Sequence, residues 1–308
     1  VLLLLIEKKG LTKALEKCVG MFAIALWDKK NKSLQLARDR IREKPIYYGF
    51  TGPESQKSFV FSSEISSLKE FKYFNNSINI NALYELINFQ AISAPNSIFN
   101  DIHQLLPGHV LTLPYPNPEF LEIKKWWCLI TRIENSLKNP ILDFNEALFE
   151  VEKSLQNSIN IQSISDVPLG TFLSGGIDSS LITALLQSQS FQKIKTFTIG
   201  FEEKKYNEAP YARKIAEFLN TDHTEIFLTS EDALKLIPYL SKIYSEPFAD
   251  SSQLPTHLVC REAKRNGLTV ALTGDGGDES FGGYNRYFLG DRIWQKLRLI
   301  PWPLRKII

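Results

Sequence analysis

The run Val167-Pro168-Leu169-Gly170-Thr171-Phe172-Leu173-Ser174-Gly175-Gly176-Ile177-Asp178-Ser179-Ser180 constrains this chain more than any other. An apolar stretch ends at Leu173, two glycines follow, and Leu181, Ile182, Leu185 and Leu186 then fall on one helical face. That spells strand, tight turn, helix. In an open α/β sheet such a turn lies at the carboxyl end of a strand, where ligands bind. Gly175 and Gly176 let the backbone approach a ligand closely and take positive φ. N–H groups of the turn and of the first helical turn favour an anion, and Ser174, Ser179 and Ser180 add hydroxyl donors. Asp178 would repel a phosphate, so its presence points to a divalent cation between the two.

The pattern is neither G-x-x-x-x-G-K-[ST], which needs a lysine, nor G-x-G-x-x-G. The order S-G-G-x-D-S-S after an apolar strand resembles the pyrophosphate loop of ATP pyrophosphatases, which cleave ATP between its α and β phosphates. A length of 308 residues allows about two domains, and 44% hydrophobic with 23% charged residues is ordinary for a globular protein. A net charge of +2 gives no electrostatic case for nucleic acid or a membrane as partner. Cys18, Cys128 and Cys260 are scattered, the four histidines are isolated, and no transition-metal spacing is present. A reducing cytoplasm is the expected location. Val1–Ile6 is too short for a membrane span and lacks a basic segment before it, so a helix entering a core is expected there. The chain starts in mid-pattern, which implies residues ahead of it.

Residues 1–19 read as one helix turned at Gly10. Met21–Asp28 reads as a strand apolar on both faces, and Ser33–Arg38 as its returning partner. Ile46–Phe50 and Phe59–Ser62 pair around Gly52-Pro53. A short helical piece at Ser63–Leu68, an amphipathic helix at Asn81–Phe89 and a strand within Leu105–Leu113 follow. Pro114, Pro116 and Pro118 exclude a central strand beyond it. Residues 1–125 therefore form a β-rich domain. Trp126–Pro140 reads as polar and irregular within a linker at 126–142, with Trp126-Trp127 as an interdomain packing anchor. Asp143–Gln162 is a helix, and from Asp166 strands alternate with helices. Lys195–Phe201, His223–Leu228 and Leu268–Thr273 are strands. Asn207 can cap a helix carrying Pro210 in its first turn, and Ser230 caps one that runs toward Tyr244 and bends at Pro238. Leu254–Arg265 is a further helix. Repeated βα units imply a parallel sheet with helices on both faces over 143–308.

A second glycine-and-acid turn, Thr273-Gly274-Asp275-Gly276-Gly277-Asp278-Glu279-Ser280-Phe281-Gly282-Gly283-Tyr284, leaves the fourth parallel strand at the same edge as the first. Two such turns can face one ligand. The first would hold a triphosphate, and the second brings Asp275, Asp278 and Glu279 within reach. Acids beside a polyphosphate call for metal between them, and Mg²⁺ is the natural choice.

Residues 173–180 and 272–284 together resemble the glutamine-hydrolysing asparagine synthetase family, type B. Gly20–Asp28, Ala37–Arg40, Glu43–Gly49 and Phe61–Ile65 resemble the later part of its glutaminase domain, and Ser245–Asp250 with Leu254-Pro255-Thr256 the segment before the second turn. The resemblance implies an α/β chain with an α+β N-terminal part. A partial N-terminal-nucleophile glutaminase β-sandwich would precede a parallel-sheet ATP-pyrophosphatase domain of the adenine nucleotide alpha-hydrolase type. It implies amidation of aspartate to asparagine with ATP and Mg²⁺ through β-aspartyl-AMP, the nitrogen coming from glutamine or ammonia. By motif, Leu173, Ile199, Thr273 and Gly274 hold the nucleotide, and Ser174, Gly175, Gly176, Ser179 and Ser180 cradle pyrophosphate. Asp178 and Asp278 are the implied Mg²⁺ ligands, and Asp275, where some members carry glutamate, is the implied catalytic residue linked to acyl-adenylate formation.

The family begins with a cysteine whose free amino group serves glutamine hydrolysis and continues past the second turn with more helices. The resemblance thus implies a fragment without the N-terminal cysteine and the C-terminal part. Cys18 reads as a packed thiol on a helix, and Arg42 stands where the family has glycine. Small-molecule substrates are the expected partners, with room for a homodimer. Three alternatives stay open. One is a relative acting on another carboxylate, such as a sugar acid or β-lactam precursor. Another is a non-catalytic nucleotide-binding remnant. The third is a nucleic-acid-modifying pyrophosphatase, for which Lys296, Arg298, Arg305 and Lys306 would have to be more than a solvated face.

Overall fold

The structure, a computed structural model, describes residues 1–201 and 207–305, so Lys306 of the basic tail lies outside the described residues. It divides into two compact units, Val1–Leu142 with Leu236–Ser251, and Asp143–Lys235 with Ser252–Ile308.

The first unit opens with α1 (Leu2–Lys9) and α2 (Leu11–Leu15), then β1 (Ala23–Asp28), β2 (Ser33–Arg38), β3 (Tyr47–Thr51) and β4 (Ser58–Ser62). Helices α3 (Ile65–Lys69) and α4 (Ile80–Phe89) are followed by β5 (Ile102–Gln104), β6 (His109–Pro114), β7 (Glu122–Lys125) and α5 (Leu129–Ser136). The strands make two antiparallel sheets, β1-β2-β6-β7 and β4-β3-β5. Strand alternation sorts the side chains into layers. Leu34 and Leu36 of β2 pack with Tyr48 of β3 and Phe59 of β4, so the two sheets face each other. Ala37 and Val110 point the other way, onto Leu11 and Leu15 of α2. Tyr47 points away from the inter-sheet core onto Ile65, Leu68 and Ala82 of α3 and α4. A helix, sheet, sheet, helix sandwich results.

Several expectations change here. α1 buries no residue, so α2 is the helix that enters the core. Cys18 lies past the end of α2 and is half-buried, with its thiol donating to Ala14 O at 3.4 Å. β1 is an edge strand in which every second residue is exposed, so it is apolar on both faces in sequence only. The stretch after Trp127 is helical as α5, which the sequence reads as irregular. Trp126 packs inside the first unit: its ring stacks on Phe22, Arg40 lies over it at 5.0 Å, and its Nε1 donates to Arg38 O at 3.2 Å.

Arg38 and Asp39 are almost completely buried in this unit. Arg38 donates to the carbonyls of Lys44 and Leu105, and desolvation pulls its guanidinium down to about 10. Asp39 accepts the N–H groups of Phe22, Glu43 and Lys44. Together they close the turn after β2, where Arg42 adopts φ 72. Its side chain reaches Gln104 Oε1 at 2.9 Å and Ile92 O at 3.3 Å, which holds an arginine in a conformation suited to glycine.

The second unit runs α6 (Phe144–Gln162), β8 (Leu169–Phe172), α7 (Ile177–Ser188), β9 (Lys195–Phe201), α8 (Ala209–Leu219) and β10 (Asp222–Leu228). After α9 (Ser230–Leu236) the chain passes into the first unit and returns as α10 (Gln253–Arg265), β11 (Val270–Leu272), α11 (Gly277–Phe281) and α12 (Asn285–Leu297). All pairings are parallel, in the order β10-β9-β8-β11. Leu169 packs with Ile159 of α6 and Leu185 and Leu186 of α7, and Leu173 with Ala212 and Ala216 of α8. Phe172 and Phe197 face Ala263 of α10. Helices therefore cover both faces, as the βα alternation predicts. Asn207 Oδ1 accepts from Ala209 N–H at 3.1 Å, but the residue at the cap of α8 is Glu208, which makes no side-chain capping bond, so the expected cap lies one residue early. α9 is capped by Thr229, whose Oγ1 accepts from Asp232 N–H at 3.2 Å, one residue before the expected Ser230. It stops at Leu236, and a 3₁₀ turn containing Pro238 precedes a short helix at Leu240–Ile243. Among the described residues no helix is long and apolar enough to cross a membrane.

The strand order carries a functional consequence. From β8 the chain builds outward through β9 to β10, then returns to the opposite side of β8 as β11. The winding reverses between β8 and β11, and ligands of open α/β sheets bind outside the carboxyl ends of the strands at that reversal.

Candidate active site

Both glycine-rich turns leave the sheet at this reversal, from neighbouring strands β8 and β11. In the first, Gly175 adopts φ 83, and a Cβ on it would stand 2.8 Å from Tyr211 Cβ, so only glycine fits between the turn and α8. Ser174 and Ser179 stand 2.9 Å apart through their hydroxyls, and Ser174 N–H donates to Ser179 Oγ at 3.2 Å. Ser180 Oγ donates to Gly176 O at 2.6 Å. No side chain caps α7, which leaves the N–H groups of its first turn free to meet an anion at the positive end of the helix dipole. Thr198 of β9 donates to Leu173 O and secures the end of β8.

In the second turn Thr273 Oγ1 donates to Asp275 Oδ2 at 2.9 Å and Gly277 N–H to Gly274 O at 3.1 Å, while Gly276 takes φ 86. The two turns interlock. A Cβ on Gly274 would stand 2.8 Å from both Asp178 Cβ and Ser179 N, and one on Gly277 would collide with the Asp178 carboxylate. A Cβ on Gly283 would likewise collide with the Asp278 carboxylate. The glycines make a cradle in which two carboxylates occupy the space that side chains would fill.

A cavity of about 1420 Å³ opens here. Of the residues singled out from sequence, Leu173, Ser174, Gly176, Asp178, Ser179, Ile199, Thr273, Gly274, Asp275 and Asp278 line it. Gly175 and Ser180 are not among the lining residues. Glu279 does not line it either: its carboxylate accepts from Tyr284 Oη at 2.7 Å, which holds it below the usual carboxylate range. Among the described residues no group of three His, Cys, Asp or Glu side chains is placed to hold a metal. Asp178, Asp275 and Asp278 bring carboxylates to the lining, and Mg²⁺ is a cation that takes one or two carboxylates from protein and its remaining ligands from water and substrate phosphates.

Some lining residues lie outside the two glycine turns. Pro255, Thr256, Val259 and Cys260 come from α10, and Glu208 from the start of α8. Burial raises the Glu208 carboxyl and the Cys260 thiol above their ordinary ranges. Glu208 stands immediately before α8, and no spacing in the sequence marks it.

At the amino-terminal ends of β9 and β10 lies a second hollow, lined by Arg213, Glu217, Asn220, Thr221, His223 and Glu225 among others. Arg213 grips Glu225 through two bonds of 2.6 Å, which lowers that carboxyl. His223 Nδ1 lies 2.8 Å from Thr196 Oγ1, while its buried Nε2 has no hydrogen-bond partner among the described residues. Desolvation lowers the His223 pKa.

The sequence pattern of the family described as asparagine synthase matches residues 150–307, and that of the glutamine amidotransferase domain residues 1–127. Over 293 residues the chain is 36% identical to a Methanocaldococcus jannaschii protein provisionally named asparagine synthetase (glutamine-hydrolyzing) 2, covering 94% of this chain and 54% of that one. It is 32% identical to asparagine synthetase (glutamine-hydrolyzing) 1 of Bacillus subtilis over 277 residues, 89% of this chain and 41% of that one. It is 28% identical to amidase chyE of Penicillium rubens over 301 residues, 91% of this chain and 43% of that one. Among solved structures, NMN synthetase from Francisella tularensis shares 16% identity at a TM-score of 0.31 over 44% of this chain and 58% of that one, a distant likeness from which no residue is carried over. The chain spans about half the length of the curated relatives it matches. With a helix-flanked parallel sheet after an amidotransferase sandwich, the chain belongs to the asparagine synthase family.

Proposed function

We propose that the protein to which this chain belongs amidates aspartate to asparagine at the expense of ATP, with nitrogen from glutamine or ammonia. The observation that carries the reading is the interlock of the two glycine turns, which brings Asp178 against Gly277 beside Asp278 at the winding reversal of the sheet. A carboxylate is a poor electrophile until one of its oxygens can leave. Its side-chain oxygen attacks the α-phosphorus of ATP, the bond to the β-phosphate oxygen breaks, and pyrophosphate departs. Ammonia then attacks the acyl carbon of β-aspartyl-AMP, AMP leaves with the electron pair of the broken C–O bond, and the proton lost from nitrogen passes to the departing phosphate or to water.

The chain's part in this is chiefly to position and to meet charge. The free N–H groups at the start of α7 and the hydroxyls of Ser174 and Ser179 would hold the pyrophosphate, while Ser180, bonded to Gly176 O, would support the turn. Leu173, Ile199, Thr273 and Gly274 would flank the nucleotide. Asp178 and Asp278 would hold Mg²⁺, which neutralises charge on the phosphate oxygens when bound. Asp275, fixed by Thr273, would act where the acyl-adenylate forms. Three free cysteines fit a reducing cytoplasm.

Pyrophosphate release from ATP·Mg²⁺, measured over a panel of carboxylic acids, tests this. Aspartate-dependent release followed by asparagine formation on adding ammonia supports it. Release with a different acid favours the second reading, an amidase-like relative with another acceptor, which the similarity to amidase chyE keeps in view. Nucleotide binding without release from any acid would leave only a binding module.

A further inference from the structure

Beneath the first glycine turn, two buried hydroxyls join strand to helix. Thr171 of β8 and Thr183 of α7 are both completely buried, and their Oγ1 atoms lie 2.9 Å apart. Thr183 Oγ1 also donates to Ser179 O at 2.7 Å. A hydroxyl carries one proton and a carbonyl can only accept, so the Thr183 proton is committed to Ser179. Thr171 is therefore the donor within the pair. The bonds run one way, from the middle strand of the sheet through Thr183 into the first turn of α7.

Ser179 is where that line meets the anion turn. Its carbonyl is the one that the helical pattern pairs with the N–H of Thr183, so it takes a second bond from the same residue. Side-chain bonds of this kind bend a helix locally. The Ser179 hydroxyl lies 2.9 Å from Ser174 Oγ and accepts from Ser174 N–H at 3.2 Å. Whatever fixes the backbone of Ser179 thus fixes the serine pair and the free N–H groups of α7 against the end of β8. Packing alone does not require hydroxyls here. Leu169 and Leu173, on the same face of β8, meet apolar side chains, and valine has the shape of threonine. Replacing both partners of a buried hydrogen bond by apolar groups of the same shape is close to neutral for stability. What the bonded pair adds is a preferred distance and direction, which apolar contact lacks.

We propose that Thr171 and Thr183 are positioning residues for phosphate binding: the pair sets the tilt of the first turn of α7, and so aims its N–H groups and the hydroxyls of Ser174 and Ser179 at the pyrophosphate part of the nucleotide. This role rests on the reading that the first glycine turn takes the phosphates of ATP.

Inorganic pyrophosphate with Mg²⁺ is the probe, its binding to the intact chain followed by calorimetry beside thermal melts and the kinetics of pyrophosphate release. With Thr171→Val and Thr183→Val together, the melting temperature should stay close to that of the unaltered chain. Pyrophosphate affinity should fall about tenfold, and the KM for ATP should rise with it while the KM for aspartate holds. Thr183→Ser keeps the proton and the acceptor and should bind pyrophosphate as the unaltered chain does. Thr171→Val alone leaves Thr183 bonded to Ser179 and no donor unpaired, so it keeps the fold and should still lose several-fold in pyrophosphate affinity. Unchanged pyrophosphate affinity in Thr171→Val and in the double variant overturns the positioning role and leaves the ATP reading standing. An unaltered chain that binds neither pyrophosphate nor ATP overturns the two together.

Discussion

The carboxylate of Asp178 occupies the space that a side chain on Gly277 would need, although the two residues belong to turns that follow different strands. Gly277→Ala therefore pushes the end of a short side chain aside and leaves the sheet alone. Stability should change by about 1 kcal/mol or less, since no core atom is lost. Pyrophosphate release should fall about 100-fold, because a carboxylate displaced by an ångström no longer meets its partner. Gly283→Ala should act in the same way through Asp278. Melting curves and release rates on the same samples decide it, and full activity in both variants would contradict the assigned geometry.

Asp178→Asn and Asp278→Asn keep the size of each side chain and remove its charge. If these two residues hold Mg²⁺ against the phosphates, each variant should need more Mg²⁺ for half-maximal release and show a lower maximum. A Mg²⁺ titration at fixed ATP measures both quantities. An unchanged Mg²⁺ requirement in either variant removes that residue from the metal.

Arg42 combines a left-handed backbone with hydrogen bonds to Gln104 and Ile92. Arg42→Ala loses the bonds and keeps the unfavourable φ, whereas Arg42→Gly loses the bonds and removes that cost. Denaturant unfolding should find alanine destabilising by about 2 kcal/mol and glycine by about 1 kcal/mol less. The reverse order would mean that the turn refolds around the smaller residue.

His223 supplies a pH dependence. Its pKa is lowered from 6.5 by burial, so the unfolded chain takes up the proton first as acid is added. Its contribution to stability is present above pH 6.5 and is lost as pH falls toward the folded value. The lowered carboxyl of Glu225 fades only further down, in the acid range. His223→Asn can keep a polar contact with Thr196 without titrating. Its stability should vary less than that of the unaltered chain between about pH 7 and about pH 5, as followed by thermal melts at each pH. Parallel curves would assign the titration elsewhere.

Much of the second unit is legible from local pattern, because each parallel strand is an apolar run bounded by turns and each helix carries its own stripe. The first turn could be read as an anion site for the same reason: the glycines, hydroxyls and helix start are consecutive. The sandwich is harder. β5 alternates buried, exposed, buried over only three residues, and its second buried side chain is the polar Gln104, while β7, Glu122–Lys125, is exposed throughout, so neither shows an apolar alternation to detect. Both exist because a neighbouring strand offers unpaired backbone groups. The attachment of Leu236–Ser251 to the sandwich is invisible for a related reason. Glu246 finds Tyr47, Gln104 and Ile98 across 142 to 199 positions of sequence, and no local spacing encodes that meeting. Ser230 against Thr229 shows the remaining margin, since either residue type can cap and only backbone geometry chooses.

β11 is three residues long, sits at the sheet margin and, among the described residues, pairs only with β8. It nevertheless carries the second glycine turn on its end. A marginal strand of that length is among the first pieces of a sheet to open transiently, and when it does the cradle comes apart. A nucleotide that touches both turns then acts as a staple across the seam, drawing the equilibrium toward the closed sheet in proportion to its concentration.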